Sequence, residues 1–163
     1  MDAPSLEKGS VSICFVDEAL ACIRHRGLDA EALLIQAGVS PELLSSPTAR
    51  VSSRHYGALW HLIAQTIDDE FFGMDTHRMK AGSFTLLCHA IIHSDTLERA
   101  LLRATRFLRL VLDDLVGELS QDAESAHIVL TDRRAPGASP HAADTGASRA
   151  FAYGTYLVIL HGL

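Results

Sequence analysis

The stretch Ser83-Phe-Thr-Leu-Leu-Cys-His-Ala-Ile-Ile-His-Ser-Asp-Thr-Leu-Glu-Arg-Ala-Leu-Leu-Arg-Ala-Thr-Arg-Phe-Leu-Arg-Leu-Val-Leu112 reads as two helices broken at His93-Ser94-Asp95. The first run is apolar on nearly every side, the pattern of a helix buried all round, so it is expected to be the core helix. The second run opens with Ser94-Asp95-Thr96. Thr96 or Ser94 suits the N-cap, while Asp95 and Glu98 suit the positive end of the helix. At about 100° per residue, Leu97, Ala100, Leu101, Ala104, Phe107, Leu108, Val111 and Leu112 form one stripe opposite Glu98, Arg99, Arg103, Arg106 and Arg109. Leu102 and Leu110 fall on the polar side of that wheel and need a partner other than the stripe's core.

Upstream, Met1 to Ser10 has no periodicity, and residues 1–12 are expected to be a flexible end. Cys14, Phe15, Ala19, Cys22 and Ile23 recur at helical spacing, and Gly27 follows Arg24-His25-Arg26, which predicts a helix over 12–26. Asp29 caps a short helix to Gln36, stopped by Gly38, and Ser40-Pro41 opens a brief turn to Leu44. A longer helix runs from Ser52 or Ser53 to Ile67, turning Tyr56, Leu59, Trp60, Ile63 and Ile67 inward. Asp68-Asp69-Glu70 breaks this pattern, and Phe71 to Met79 is expected to form a further short helix before the turn Lys80–Ser83.

Downstream the period changes. Leu115–Leu119 and His127–Thr131 read as an antiparallel hairpin, whose Asp113, Asp114, Glu118, Asp122 and Glu124 are expected to form a solvated acidic face. Arg133 to Ser148 has loop chemistry, with Pro136, Gly137, Pro140 and Gly146, and Ala147–Leu163 reads as a last helix. The expected fold is α+β, a predominantly helical single domain over 13–163 with a small antiparallel β-hairpin.

A chain of 163 residues, 48% apolar and 21% charged, suits one soluble globular domain. The chain has no apolar run of roughly 18 residues and its start lacks a secretory signal, so the expected location is the cytoplasm. Cys14, Cys22 and Cys88 are odd in number and widely spaced, which suggests neither a disulfide framework nor a thiolate zinc site. The net charge of −6 gives no electrostatic footprint for nucleic acid.

His89 and His93 stand i and i+4 on one helix, a spacing at which two imidazoles can share an ion. A zincin motif would add a Glu after the first His, and spacing supplies no third ligand, so the expected metal and cofactor content is none. The sequence has no GxSxG elbow, no P-loop and no GxGxxG, and Cys88 and His89 point about 100° apart on a helix; no catalytic residue is assigned. The residues assigned to ligand contact are His89, His93, Trp60 and Arg106, Arg106 because guanidinium pairs anions in forked geometry. Leu102, Leu110 and Arg103 are assigned to a subunit contact, apolar positions inside an arginine rim.

The ordered set Ala81-Gly82-Ser83-Phe84, a short apolar helix, Ser94-Asp95-Thr96-Leu97-Glu98-Arg99-Ala100-Leu101 and Arg106-Phe107-Leu108-Arg109-Leu110 resembles the amino-terminal regulatory domain of AraC-type bacterial transcription regulators, in the subgroup labelled arabinose-binding. Gly27–Leu44 and Arg50-Val-Ser-Ser-Arg-His-Tyr56 followed by Trp60 are similar to the opening of the same domain. The resemblance implies a non-enzymatic domain that senses a small-molecule effector and forms a homodimer, with DNA bound only through a carboxy-terminal domain that nothing in this chain matches. The alternative expectation is a metal- or haem-dependent sensor or enzyme built around His89 and His93.

Overall fold

A computed structural model describes residues 9–134 and 146–163. The described residues hold six α-helices, one 3-10 turn and two separate antiparallel strand pairs, so the fold is α+β and mostly helical. The chain divides into two compact units, residues 1–67 and 68–163. The expected loose end at 1–8 and most of the expected loop, 135–145, lie outside the described residues.

The first unit begins with a pair of strands that the periodicity did not predict. β1 (Ser10–Ser12) runs antiparallel to β2 (Arg50–Ser52), with Val11 opposite Val51. Residues 10–12 are therefore paired rather than a flexible end. Arg50 fixes the pair, its guanidinium donating to the Ser10 hydroxyl and carbonyl at 2.6 Å each. α1 (Ile13–His25) follows at once and buries Val16, Leu20 and Ile23. This inner face is rotated from the expected one, since Cys14 is exposed and Phe15 is 45% exposed. Gly27 at φ 67 ends the helix, its N–H donating to the Arg24 carbonyl at 2.9 Å. α2 (Ala30–Gln36) is capped as expected, the Asp29 carboxylate accepting from the Ala32 N–H at 2.9 Å. A 3-10 turn over Pro41–Ser45 leads to β2, and α3 (Ser53–Ile67) buries Leu59, Ile63 and Ile67.

The second unit opens with the largest departure from expectation. Phe71 to Met79 is not a helix but an irregular loop built on two buried carboxylates. Asp69, 1% exposed, accepts from the N–H groups of Phe71, Gly73 and Met79. Asp75, 5% exposed, accepts from those of His77, Asp113, Asp114 and Leu115. Because side chains satisfy the amides, the loop needs no helical ladder and still buries Phe71, Phe72 and Met79. Phe72 adopts φ 57, unusual for a bulky residue, and stacks on Phe151 at 6.2 Å between ring centroids.

Glu70 caps the next helix, its two oxygens accepting from the Gly82 and Phe84 N–H groups at 2.7 Å each. That helix, α4 (Ser83–Ile91), corrects another expectation. Only Leu87 and Ile91 are buried, while Leu86 is 61% exposed and Ile92, just past the helix, 69%. α4 packs on α5 by one side, so an all-round apolar sequence did not produce all-round burial. α5 (Leu97–Val111) starts where the sequence placed it, the Thr96 hydroxyl accepting from the Arg99 N–H. Ala104, Leu108 and Leu112 enter the core, but Leu97 at the head of the stripe is 74% exposed.

β3 (Leu115–Gln121) and β4 (Ala126–Asp132) form the expected hairpin, extended at both ends and registered with Gly117 opposite Leu130. Asp122 closes the turn by accepting from the Glu124 and Ser125 N–H groups. The acidic face is solvated only in part, since Asp114 is half-buried and binds the Thr76 N–H and hydroxyl at 2.8 and 2.6 Å. α6 (Gly146–His161) completes the unit, and its Ala152, Tyr156 and Ile159 meet Leu108, Leu112 and Leu115 in one core cluster.

Candidate functional site

α5, β4 and α6 leave an open concave surface between them in the second unit. Leu97 and Leu101, four residues apart, show one side of the first turns of α5. Ile128 comes from β4, whose alternation turns Ile128 and Leu130 toward the core side and leaves Val129 53% exposed. Leu157, Val158, Leu160 and His161 come from the last turns of α6. These residues line a groove of about 540 Å³. Its walls are aliphatic apart from His161, and Leu97, Leu157 and Val158 are 74%, 48% and 55% exposed.

A buried ion cluster joins the two elements that flank the groove. The Asp132 side chain, 4% exposed at the end of β4, receives Arg134 at 2.9 Å and Arg149 of α6 at 2.8 Å. Hydrogen bonding to Arg134, then the charges of both guanidiniums, holds the Asp132 carboxyl below the usual carboxylate range despite its burial. The Asp132–Arg149 contact ties the end of β4 to the first turn of α6.

None of the sequence-assigned contact residues lines the groove. His89 is exposed on α4, and His93 is exposed beyond the helix end, so the i, i+4 face is not continued as helix. Among the described residues no three His, Cys, Asp or Glu side chains are grouped to hold a metal ion, and the pair gains no third ligand. The reading of a metal or haem centre there has no support. Trp60 is half-buried in the first unit, 5.8 Å from the Tyr56 ring, whose phenol burial pushes up to about 12. Arg106 is exposed on α5. Of the assigned subunit contacts, Leu110 is 79% exposed, Leu102 is half-buried, and Arg103 is exposed with its guanidinium on the Ser94 hydroxyl at 3.0 Å.

The groove residues were missed because Leu97 and Leu101 read as core and α6 is apolar on most sides. The available signal was the position of Leu97 in the first turn of α5, where a helix outruns the core it packs on. No helix among the described residues is long and apolar enough to cross a membrane.

One family profile matches the chain, described as the arabinose-binding domain of AraC transcription regulator, N-terminal, over residues 27–163. Among curated proteins and among solved structures, none matches.

Proposed function

Because the chain belongs to the family of N-terminal arabinose-binding domains of AraC transcription regulators, we propose that it is an effector-sensing domain that seats a small molecule in the groove between α5, β4 and α6. The observation that carries this reading is the groove itself, concave, apolar and of a volume typical of small-ligand sites, in a chain whose family is a regulatory ligand-binding one. The role is binding rather than catalysis, and it places the protein in the cytoplasm beside the transcription machinery.

In the same reading the domain forms a homodimer through the outer face of α5, with Leu110 and Leu102 inside a rim that includes Arg103. DNA contact belongs to a separate DNA-binding domain of the regulator, since a chain of net charge −6 is poorly suited to phosphate. The ligand biases how two such domains are held.

A thermal-shift screen of small molecules tests the sensing role, because a ligand that binds only the folded state raises its stability in proportion to RT ln(1 + [L]/Kd). At least one compound is expected to raise Tm in a concentration-dependent way. A screen in which every compound leaves Tm unchanged would reject the sensing role.

A further inference from the structure

We infer that the groove between α5, β4 and α6 takes an aliphatic small molecule with a neutral polar head, not a free sugar. This rests on the proposed sensing role and narrows it to a ligand class. A monosaccharide carries a hydroxyl on most of its carbons, and each hydroxyl that loses water on binding needs a hydrogen-bonding partner. The lining offers six aliphatic side chains, Leu97, Leu101, Ile128, Leu157, Val158 and Leu160, and one polar one, His161. Among these side chains the His161 imidazole is the one hydrogen-bonding partner. A sugar would bury hydroxyls against methyl groups. An alkyl chain instead covers apolar surface that Leu97, Leu157 and Val158 now present to water.

The position of His161 sets the head group. It is the last residue of α6, where helix carbonyls concentrate partial negative charge, so a carboxylate there is disfavoured and a hydroxyl that bonds the imidazole is not. The size of the site favours a small molecule over a second copy of the chain. Seven residues line it, whereas a stable protein interface engages roughly 20–30 residues on each side.

Titration calorimetry with 1-octanol, octanoate and L-arabinose tests the inference, on the unaltered chain and on Leu97→Asp and Val158→Asp. Both positions are more than half exposed on different walls, so each variant is expected to keep its circular dichroism spectrum, and either alone suffices should the other misfold. The expected result is saturable octanol binding at one site per chain, weaker octanoate binding, no arabinose binding, and a loss of about tenfold in octanol affinity in each variant, since a charge is brought into an apolar wall. Arabinose binding weakened by the same substitutions would overturn the ligand class and leave the sensing role standing. Octanol binding unmoved by both substitutions would overturn the site. If no compound binds and both substitutions dissolve a dimer seen by sedimentation, the groove is a contact between copies, and the ligand seat falls with the ligand class.

Discussion

The hydroxyl of Tyr156 on α6 lies directly over the backbone of Gly117 in β3, so that a Cβ at 117 would occupy the space of the phenol, 2.8 Å from its Cζ. Tyr156 is fully buried and belongs to the core that joins α5, the hairpin and α6. Its oxygen makes no hydrogen bond of ordinary geometry among the described residues, although it faces the Gly117 amide closely enough for that amide to favour the ionised phenol slightly.

Gly117→Ala should therefore destabilise the protein by about 1–3 kcal/mol, the usual cost of forcing extra atoms into a packed core. Tyr156→Phe removes the obstructing oxygen and should recover part of that loss in the double variant. Urea denaturation of the two single variants and the double variant measures the coupling. Additive effects would show that the two residues do not share this space.

Burial pushes the Tyr156 phenol up to about 12, against an ordinary value near 10. The neutral form is favoured in the folded state, so the stability it supports is complete below pH of about 10 and is lost as pH rises toward about 12. Tyr56 shares the shift and its cause. Denaturant midpoints measured between those pH values should fall steeply in the parent chain and less steeply in Tyr156→Phe. Equal slopes would place the alkaline sensitivity elsewhere.

How far the sequence carried can be traced through particular residues. Thr96 as the cap of α5, Asp29 as the cap of α2 and the hairpin after Leu115 were legible because each depends on residues a few positions apart. β1 and β2 were not, because Ser-Val-Ser and Arg-Val-Ser are too short to alternate, and their pairing across forty positions becomes visible only when Val11 meets Val51. The loop at 71–79 was misread because Phe71, Phe72 and Met79 have helical composition, while the groups that unwind it, Asp69 and Asp75, act by accepting amides that a sequence pattern does not register. The groove was illegible for a related reason. Leu97 and Leu157 look like core, and only the ends of α5 and α6 decide that they are not.

Asp75 supplies the strongest test of that loop. Its carboxylate accepts from four backbone N–H groups, three of them at Asp113, Asp114 and Leu115, where the chain enters β3. Asn at this position keeps one oxygen and turns an NH2 donor toward N–H groups that are themselves donors. Bonds to a charged acceptor contribute about 1.5–3 kcal/mol each, so Asp75→Asn should cost at least about 2 kcal/mol. Hydrogen exchange should accelerate at the amides of 113–115 before it does so across α3. Unchanged protection there would show that the loop is held by its apolar side chains alone.

The Asp132 cluster predicts acid sensitivity. A carboxyl held below its ordinary value in the folded state stabilises the protein above the unfolded value of about 3.9, and that stability is lost as pH falls through the lower folded value. Asp132→Asn should be less stable near neutrality and should show a flatter stability profile in acid. If the parent and variant profiles run parallel, Arg134 and Arg149 contribute to packing more than to charge.

The proposed dimer turns on Leu110. At 79% exposed on α5, with Arg109 beside it, it packs against nothing that its replacement would disrupt, whereas Leu102 is half-buried and a charge there also threatens the fold. Leu110→Glu is therefore the cleaner probe of the proposed dimer. An apolar side chain desolvated at the centre of a two-fold contact meets its own copy or a near neighbour, so the substitution places two carboxylates in one apolar patch, which costs far more than the loss of a single contact. Sedimentation velocity should show a dimer for the parent chain and a monomer for Leu110→Glu, with the same circular dichroism spectrum and the same Tm dependence on any groove ligand. A dimer that survives Leu110→Glu unchanged would move the contact off this face of α5, and the exposed Leu86 and Ile92 of the α4 end would then be the next surface to charge.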